Sequence, residues 1–322
     1  MNLPEPKRIL VSDISLNVYD AGNGPTVVLC HGFPDLARSW HHQFNALVAA
    51  GYRVIAPDQR GYGGSDAPKE IESYDLTALT GDLVGLLDAL EIERAVFVGH
   101  DWGAFVVWAM PVLHPSRCYG IVGVNVPNMA FPTTELLGMM FPNPDDFYIL
   151  WFQKHKIPEA HMNGNLRTVI DQSFRRRDHD KVGDAPVLTL AERNANPILT
   201  LESPEPDGLP ILSDTELEDY CAAHSRNGFF GPTSWYRNID RNAELLPQVG
   251  ATPLDLPVLQ IEVPEDAFVP ANAGDITRAL CSDTEVVTIT QSGHWTMLEQ
   301  PEALTSAILD WLERKYKTSD PV

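Results

Sequence analysis

The stretch AVFVGHDWGAFVVWAM, residues 95–110, decides the fold because it joins a short apolar strand to an apolar helix through a tight turn. The turn reads GHDWG, with Gly99 and Gly103 on either side of Asp101. A G-x-nucleophile-x-G frame at such a turn lifts the central side chain above the carboxyl end of the strand. The positive end of the helix dipole favours an anion there. We therefore predict that Asp101 is an ionised nucleophile; the alternative interpretation is a simple helix cap.

Strands and helices alternate on both sides of this turn. Short apolar runs predict strands at 8–11, 14–20, 26–30, 53–57, 119–126, 256–263 and 284–290, with helices near 39–50, 75–90, 270–280 and 301–316. This alternation indicates an α/β fold, in which a mostly parallel sheet carries helices on both faces.

The alternation stops after Val126. Residues 127–144 hold four prolines and show no periodicity, which predicts a long loop, whereas 145–245 is mostly helical in pattern. We therefore predict an α/β core in two halves, with an inserted helical segment between them. The predicted bounds are 1–127 and 246–322 for the core halves and 128–245 for the insertion.

Composition excludes several classes of partner. The chain has 322 residues and a net charge of −21, which disfavours nucleic acid and anionic membranes. Its four cysteines form no C-x-x-C pair, so we expect neither a zinc site nor a redox motif, and we expect no cofactor. No signal peptide or long apolar run is evident, so we expect a cytoplasmic protein.

A carboxylate nucleophile attacks carbon through one oxygen and forms an ester with it. This chemistry suits an electrophilic sp³ carbon that bears a leaving group, as in an epoxide or an alkyl halide. Hydrolysis of the ester then passes through a tetrahedral oxyanion, which hydrogen-bond donors must stabilise. The segment HGFP, residues 31–34, follows the predicted strand at 26–30. We predict that the backbone N–H groups of Phe33 and Trp102 form this oxyanion site.

Ester hydrolysis also needs a base that activates water, and histidine is the usual choice near neutral pH. His294 follows the predicted strand at 284–290, which places it at the same edge of the sheet as Asp101. Asp266 follows the preceding strand and is the predicted acid partner, with Glu265 as its neighbouring alternative and Glu262 as a weaker one. We assign structural roles to other polar residues of the strand-end loops, namely His31, Asp58, Arg60, Asp66 and His100.

Six features together resemble the soluble-type epoxide hydrolases of the α/β-hydrolase fold: HGFP (31–34), DQRGYGGSD (58–66), GHDWG (99–103), the Asp266–His294 pair, DDFYILWFQ (145–153) and NGFFGPTSWYRN (227–238). The resemblance spans nearly the whole chain. It implies an inserted helical cap and conversion of an epoxide and water to a vicinal diol. It also implies that two cap tyrosines, which match Tyr148 and Tyr236, bind the epoxide oxygen.

The leaving group distinguishes the competing functions. An opening epoxide yields a basic alkoxide, which phenols of pKa about 10 can bind and protonate. A haloalkane or haloacid dehalogenase would use the same Asp–His–Asp triad, and a non-catalytic ligand sensor is a further alternative. For the neutral small substrate we expect an apolar pocket that contains Phe33, Trp102, Trp151 and Trp295, with further candidates at Phe131, Met139, Met140, Phe152 and Phe229. The sequence leaves open whether the protein is a monomer or a homodimer.

Overall fold

A computed structural model describes residues 3–182, 196, 198 and 208–316 of the chain. Within these residues the strands are β1 Lys7–Val11, β2 Ile14–Ala21, β3 Thr26–Cys30, β4 Arg53–Asp58, β5 Ala95–His100, β6 Cys118–Val124, β7 Arg175–Arg176, β8 Leu209–Pro210, β9 Val258–Glu262 and β10 Thr284–Thr288. Strands β7 and β8 form a separate antiparallel pair, and the other eight form one sheet.

The central sheet has the strand order β1-β2-β4-β3-β5-β6-β9-β10. Strand β2 is antiparallel to β1 and β4, and every other pair of neighbours is parallel. Strands β3 and β5 are buried along their whole length, as expected for strands with both faces covered by helices. The predicted α/β fold with a mostly parallel sheet is therefore confirmed.

The helices of the described residues are α1 His41–Ala49, α2 Leu76–Ala89, α3 Trp102–Leu113, α4 Thr134–Met140, α5 Tyr148–Trp151, α6 Ile157–Gly164, α7 Leu166–Ser173, α8 His179–Val182, α9 Asp214–Asn227, α10 Phe230–Arg237, α11 Ile239–Leu245, α12 Ala273–Leu280, α13 Thr296–Glu299 and α14 Pro301–Lys315. Helix α2 packs against α3, and α1 packs against α14. Helices α4 to α11 lie in the chain between β6 and β9, which is the segment that we call the insertion.

Two short helices differ from the sequence predictions. The prediction of a loop at 127–144 was wrong in part, because α4 forms there, with the Thr133 side chain accepting a hydrogen bond from the Leu136 N–H. Helix α13 was also not predicted. Met139 and Met140, which we considered for the pocket, lie on the outer surface of α4 and are 70% and 61% exposed. Helix α4 is too short to show a helical period beside four prolines, which explains the error.

Hydrogen bonds connect the insertion to loops that follow the carboxyl ends of the parallel strands. Tyr220 on α9 donates its hydroxyl to Asp35 at 2.9 Å, just after β3. The indole N–H of Trp235 on α10 donates to the carbonyl of Arg60 at 3.2 Å, in the loop after β4. The insertion therefore covers the core loops at this edge of the sheet.

Candidate active site

The turn between β5 and α3 is strained and closely packed. Asp101 has a φ of 53° and a ψ of −125°, a conformation that residues with a side chain rarely adopt. A Cβ atom on Gly99 would collide with the backbone of Gly103, and one on Gly103 would collide with the carbonyls of Cys30 and His31 at the end of β3. The two glycines therefore allow β5, α3 and β3 to approach, and the turn presents Asp101 at the edge of the sheet.

Backbone amides hold the Asp101 carboxylate. The N–H of Phe33 donates to Asp101 Oδ1 at 2.7 Å. Burial raises the pKa of Asp101, whereas His294 and the N–H groups of Phe33 and Trp102 lower it. A Cβ atom on Gly32 would collide with the same carboxylate, so only glycine permits this approach. Both amides that we predicted as oxyanion donors thus point at the group on which the oxyanion would form.

His294 lies between two carboxylates. Its Nδ1 is 2.9 Å from Asp266 Oδ2, and its Nε2 is 3.8 Å from Asp101 Oδ2. Burial lowers the pKa of His294, but Asp266 and Asp101 outweigh this effect and raise it to about 9. Burial alone would raise the pKa of Asp266, but the charge of His294 and its hydrogen bonds hold it below the usual value. This arrangement can orient an imidazole so that Nε2 accepts a proton beside Asp101.

The two alternative acids lie elsewhere. Glu265 accepts a hydrogen bond from the Gln291 N–H at 2.7 Å, and its other oxygen is 3.8 Å from His179. Glu262 accepts from the Gly274 N–H at 2.9 Å. Of the three candidates, Asp266 is the one whose carboxylate is bonded to His294.

Asn125 is a member of the site that the sequence reasoning missed. It is fully buried directly after β6 and adopts a φ of 64°. Its Nδ2 donates to Asp266 Oδ2 at 2.7 Å and to the His294 carbonyl at 3.1 Å. The signal was available, since Asn125 follows a parallel strand at the same sheet edge as the other site residues. Asn125 therefore fixes the acid and the base relative to each other.

Tyr148 and Tyr236 meet on the opposite side of the site. Their rings are 5.8 Å apart with an interplanar angle of 78°. Burial raises the pKa of both phenols, and the charge of Asp101 raises both further. The two hydroxyls are therefore protonated at neutral pH and lie within the electrostatic reach of Asp101. Such a pair can donate hydrogen bonds to an oxygen that gains negative charge.

Aromatic rings pack around the tyrosine pair. Phe33 contacts Phe152 and Tyr236 with ring centroids 5.3 Å apart in each case. Trp102 stacks on Phe131 at 4.4 Å and meets Tyr236 edge-on at 5.0 Å. These contacts place Phe33 and Trp102 beside the tyrosine pair, in an apolar setting suited to a small organic substrate.

The other two tryptophans that we predicted to bind substrate make different contacts. Trp151 packs inside the insertion against Phe152 and His161, each at 5.7 Å. Trp295 stacks on Phe174 of the insertion at 4.0 Å, and its ring is also 5.0 Å from that of His294. Their roles in substrate binding remain predictions.

The remaining polar residues of the loops support the backbone. His31 Nε2 accepts the Gln59 N–H at 2.9 Å, and burial lowers the pKa of His31 to about 4. His100 is fully buried, and its Nε2 is hydrogen-bonded to the His294 carbonyl at 2.7 Å. Arg60 forms a buried ion pair with Asp82 at 2.6 Å. These contacts agree with structural roles.

Two kinds of feature are absent from the residues that the structure describes. Among them, no group of three or more histidine, cysteine or acidic side chains is arranged to hold a metal ion. In the same residues, no helix combines the length and the apolar character that crossing a bilayer requires.

Comparisons with known proteins agree with one another. Residues 25–301 match the model of the α/β-hydrolase fold family. The chain is 40% identical to epoxide hydrolase A of Mycobacterium tuberculosis strain H37Rv, over 97% of this chain and 98% of that protein. It is 32% identical to bifunctional epoxide hydrolase 2 of Sus scrofa over 93% of this chain, but it spans only 53% of that longer relative. The crystal structure of epoxide hydrolase A from Mycobacterium thermoresistibile is similar with a TM-score of 0.84 and 37% identity, over 96% of this chain and 98% of that one.

Proposed function

The chain belongs to the epoxide hydrolases of the α/β-hydrolase fold, and we propose that it converts an epoxide and water to a vicinal diol. One observation carries the proposal: the Asp101 carboxylate, held by an amide at 2.7 Å, lies close enough to Tyr148 and Tyr236 for its charge to raise the pKa of both phenols, whose rings contact each other. A nucleophile for carbon and donors for a developing alkoxide are thus present together.

In the first half-reaction the phenols of Tyr148 and Tyr236 bind the epoxide oxygen. One carboxylate oxygen of Asp101 forms a bond to a ring carbon while the bond from that carbon to the epoxide oxygen breaks. The released oxygen takes a proton from one phenol, which leaves a tyrosinate. The product of this step is a hydroxyalkyl ester of Asp101.

In the second half-reaction His294 takes a proton from water, and the water oxygen attacks the ester carbonyl carbon of Asp101. The N–H groups of Phe33 and Trp102 stabilise the tetrahedral oxyanion. When the intermediate collapses, the departing diol oxygen takes the proton from His294. The second proton of the water returns to the tyrosinate, which restores the enzyme. Asp266 keeps the imidazole oriented and stabilises its charged form.

The triad alone does not distinguish an epoxide from a halide. A halide departs as a stable anion and needs no proton, whereas the oxygen of an opened epoxide becomes a strongly basic alkoxide. The Tyr148–Tyr236 pair supplies protons at this position, so it favours the epoxide. This role of the pair is the part of the proposal that separates it from dehalogenation.

The test compares the two substrate classes directly. The protein is incubated with an aryl epoxide and, in parallel, with a primary alkyl chloride, and diol and chloride are measured. Diol formation without chloride release supports the proposal. Chloride release without diol would establish a dehalogenase, and tight binding of either compound without turnover would establish a ligand sensor.

A further inference from the structure

The Glu299 carboxylate is hydrogen-bonded to the turn that carries His294. Its Oε2 accepts a hydrogen bond from the Gly293 N–H and its Oε1 accepts one from the Trp295 N–H, each at 2.9 Å. These are the amides immediately before and after His294. The backbone N–H of Glu299 also bonds to the Trp295 carbonyl at 2.8 Å, so α13 fixes the carboxylate relative to the turn. One side chain therefore holds both flanks of the base.

The same turn is held from its other side by neutral groups. The carbonyl of His294 is hydrogen-bonded to His100 Nε2 at 2.7 Å and to Asn125 Nδ2 at 3.1 Å. Burial lowers the pKa of His100 far below the usual value, so its imidazole is uncharged. Glu299 differs from both because it brings a negative charge close to His294. Burial raises the pKa of Glu299, and the two amide hydrogen bonds oppose this by stabilising its ionised form.

We propose that Glu299 is a positioning residue for His294, which fixes the direction of its imidazole and increases its affinity for a proton. The inference rests on the proposed function, in which His294 is the base of ester hydrolysis. The direction matters because Nδ1 must meet Asp266 while Nε2 faces Asp101, at 2.9 Å and 3.8 Å. Rotation of the turn would change both the Nδ1–Asp266 and the Nε2–Asp101 distance.

Four titratable groups lie close to His294, and three of them change its proton affinity. Asp266, Asp101 and Glu299 raise its pKa in that order, and burial lowers it. The ring of His100 lies 4.6 Å from that of His294, but it is uncharged and therefore adds no repulsion. When Asp101 becomes an ester, its charge is lost. Asp266 and Glu299 then remain as the anions that set the pKa of the base during the hydrolytic step.

The proposal predicts different effects on the two half-reactions. Attack by Asp101 needs no proton transfer to His294, so loss of Glu299 leaves ester formation unchanged within about twofold. Ester hydrolysis depends on the direction of the His294 imidazole. A displaced imidazole should slow this step by about 10- to 100-fold. Removal of the negative charge also lowers the pKa of His294, so hydrolysis retains its rate to lower pH.

The experiment uses Glu299→Gln, Glu299→Asp and, as a matched control, Glu302→Gln, which alters an exposed acid three residues away. Rapid mixing with one equivalent of epoxide, acid quenching and intact-protein mass spectrometry give the rates of ester formation and decay. For Glu299→Gln we expect slow decay of the ester. We also expect the acid limb of the pH profile of ester decay to move to lower pH. Glu299→Asp retains the charge and should recover the position of the acid limb without the full rate. The control should match the wild type.

Two results would overturn the proposal. One is a Glu299→Gln protein in which the ester decays at the wild-type rate with an unshifted acid limb. The other is a parallel loss of ester formation and decay in both Glu299 variants, which indicates general damage to the fold. A wild-type protein that forms no ester would instead overturn the proposed function.

The positioning role has a readout that needs no substrate. The pKa of His294 is obtained from the pH dependence of its Cε1–H resonance in the wild type, Glu299→Gln and the control. A lower pKa in Glu299→Gln alone supports the role of Glu299, and an equal pKa in all three proteins contradicts it. This measurement separates failure of the inference from failure of the proposed function.

Discussion

The core side and the inserted side of the site are held in place by different kinds of contact. On the core side Asp101 and His294 lie on turns at strand ends, and hydrogen bonds of 2.7 to 3.1 Å hold the Asp101 carboxylate and the His294 carbonyl. On the inserted side Tyr148 begins α5, a helix of four residues, and Tyr236 lies on α10. The sheet therefore sets the position of the nucleophile and the base, whereas helix packing sets the position of the phenols.

A buried cation joins the two helices of the inserted side. Arg237 forms an ion pair with Glu159 at 2.5 Å, and the two side chains are 3% and 11% exposed. Arg237 also donates to the carbonyls of Phe152 and Lys154, both at 2.8 Å. Since Arg237 follows Tyr236 and Phe152 follows α5, this cluster fixes the distance between the two phenols. The core side should thus control hydrolysis, and the inserted side should control ring opening.

The largest expected effect comes from His294→Gln on the core side. Loss of the general base should slow ester hydrolysis by about 10²- to 10⁴-fold, while ester formation continues. Intact-protein mass spectrometry should show the alkylated enzyme accumulate after the first half-reaction. An inactive His294→Gln protein that never acquires the mass of the epoxide would contradict the assigned role.

Tyr148→Phe and Tyr236→Phe test the inserted side. Loss of one donor to the developing alkoxide should slow ester formation by about 10²- to 10³-fold, and loss of both should slow it further. Ester decay should not change. Tyr119→Phe is the control, because it removes a hydroxyl near the start of β6, at the other edge of the sheet. Slow ester decay with normal ester formation in the tyrosine variants would contradict the claim that the inserted side controls ring opening.

The acid–base behaviour of His294 provides a smaller effect. Only the neutral imidazole accepts a proton from water, so ester decay should increase as the pH rises through the pKa of His294. Asp266 and Asp101 raise this pKa to about 9 in the resting enzyme, against the effect of burial. Ester formation neutralises Asp101, so the rise in the rate of ester decay should be centred at a pH below about 9. Ester decay that is independent of pH in this range would mean that His294 is not the base.

The smallest kinetic effect is expected for Glu159→Gln. Breaking a buried ion pair leaves Arg237 uncompensated and should lower the free energy of unfolding by about 3 kcal/mol. Thermal and urea unfolding measure this loss, and ester formation should slow by up to about tenfold. The matched control is Glu285→Gln, because Glu285 pairs with Arg314 at the same 2.5 Å but on the surface. Equal destabilisation by the two variants would show that burial of the Arg237–Glu159 pair is not important.

The same division explains what the sequence could predict. Parallel strands place their carboxyl ends at one edge, so the order of strands in the chain was sufficient to bring Asp101, Asp266 and His294 together. Asn125 obeys the same rule but was overlooked. Glu299 carries no such signal, because its side chain acts on backbone amides four and six residues away only after α13 has formed.

The inserted side offered less to sequence reasoning. Helix α5 has four residues, too few for a helical period, and nothing in composition distinguishes Tyr148 from the other tyrosines. Tyr148 and Tyr236 were predicted only through the resemblance to a family. Met139 and Met140 show the converse, since apolar residues of α4 that looked suited to a pocket face solvent.

The central claim is that Asp101 forms an ester that water then cleaves. A single turnover with excess enzyme in ¹⁸O-labelled water, followed by proteolysis and mass spectrometry, tests it most directly. Because water attacks the carbonyl carbon of the ester, we predict that the label enters the peptide that contains Asp101 and is absent from the first diol. Label in the first diol, with none in Asp101, would mean that water attacks the epoxide itself and would contradict the account.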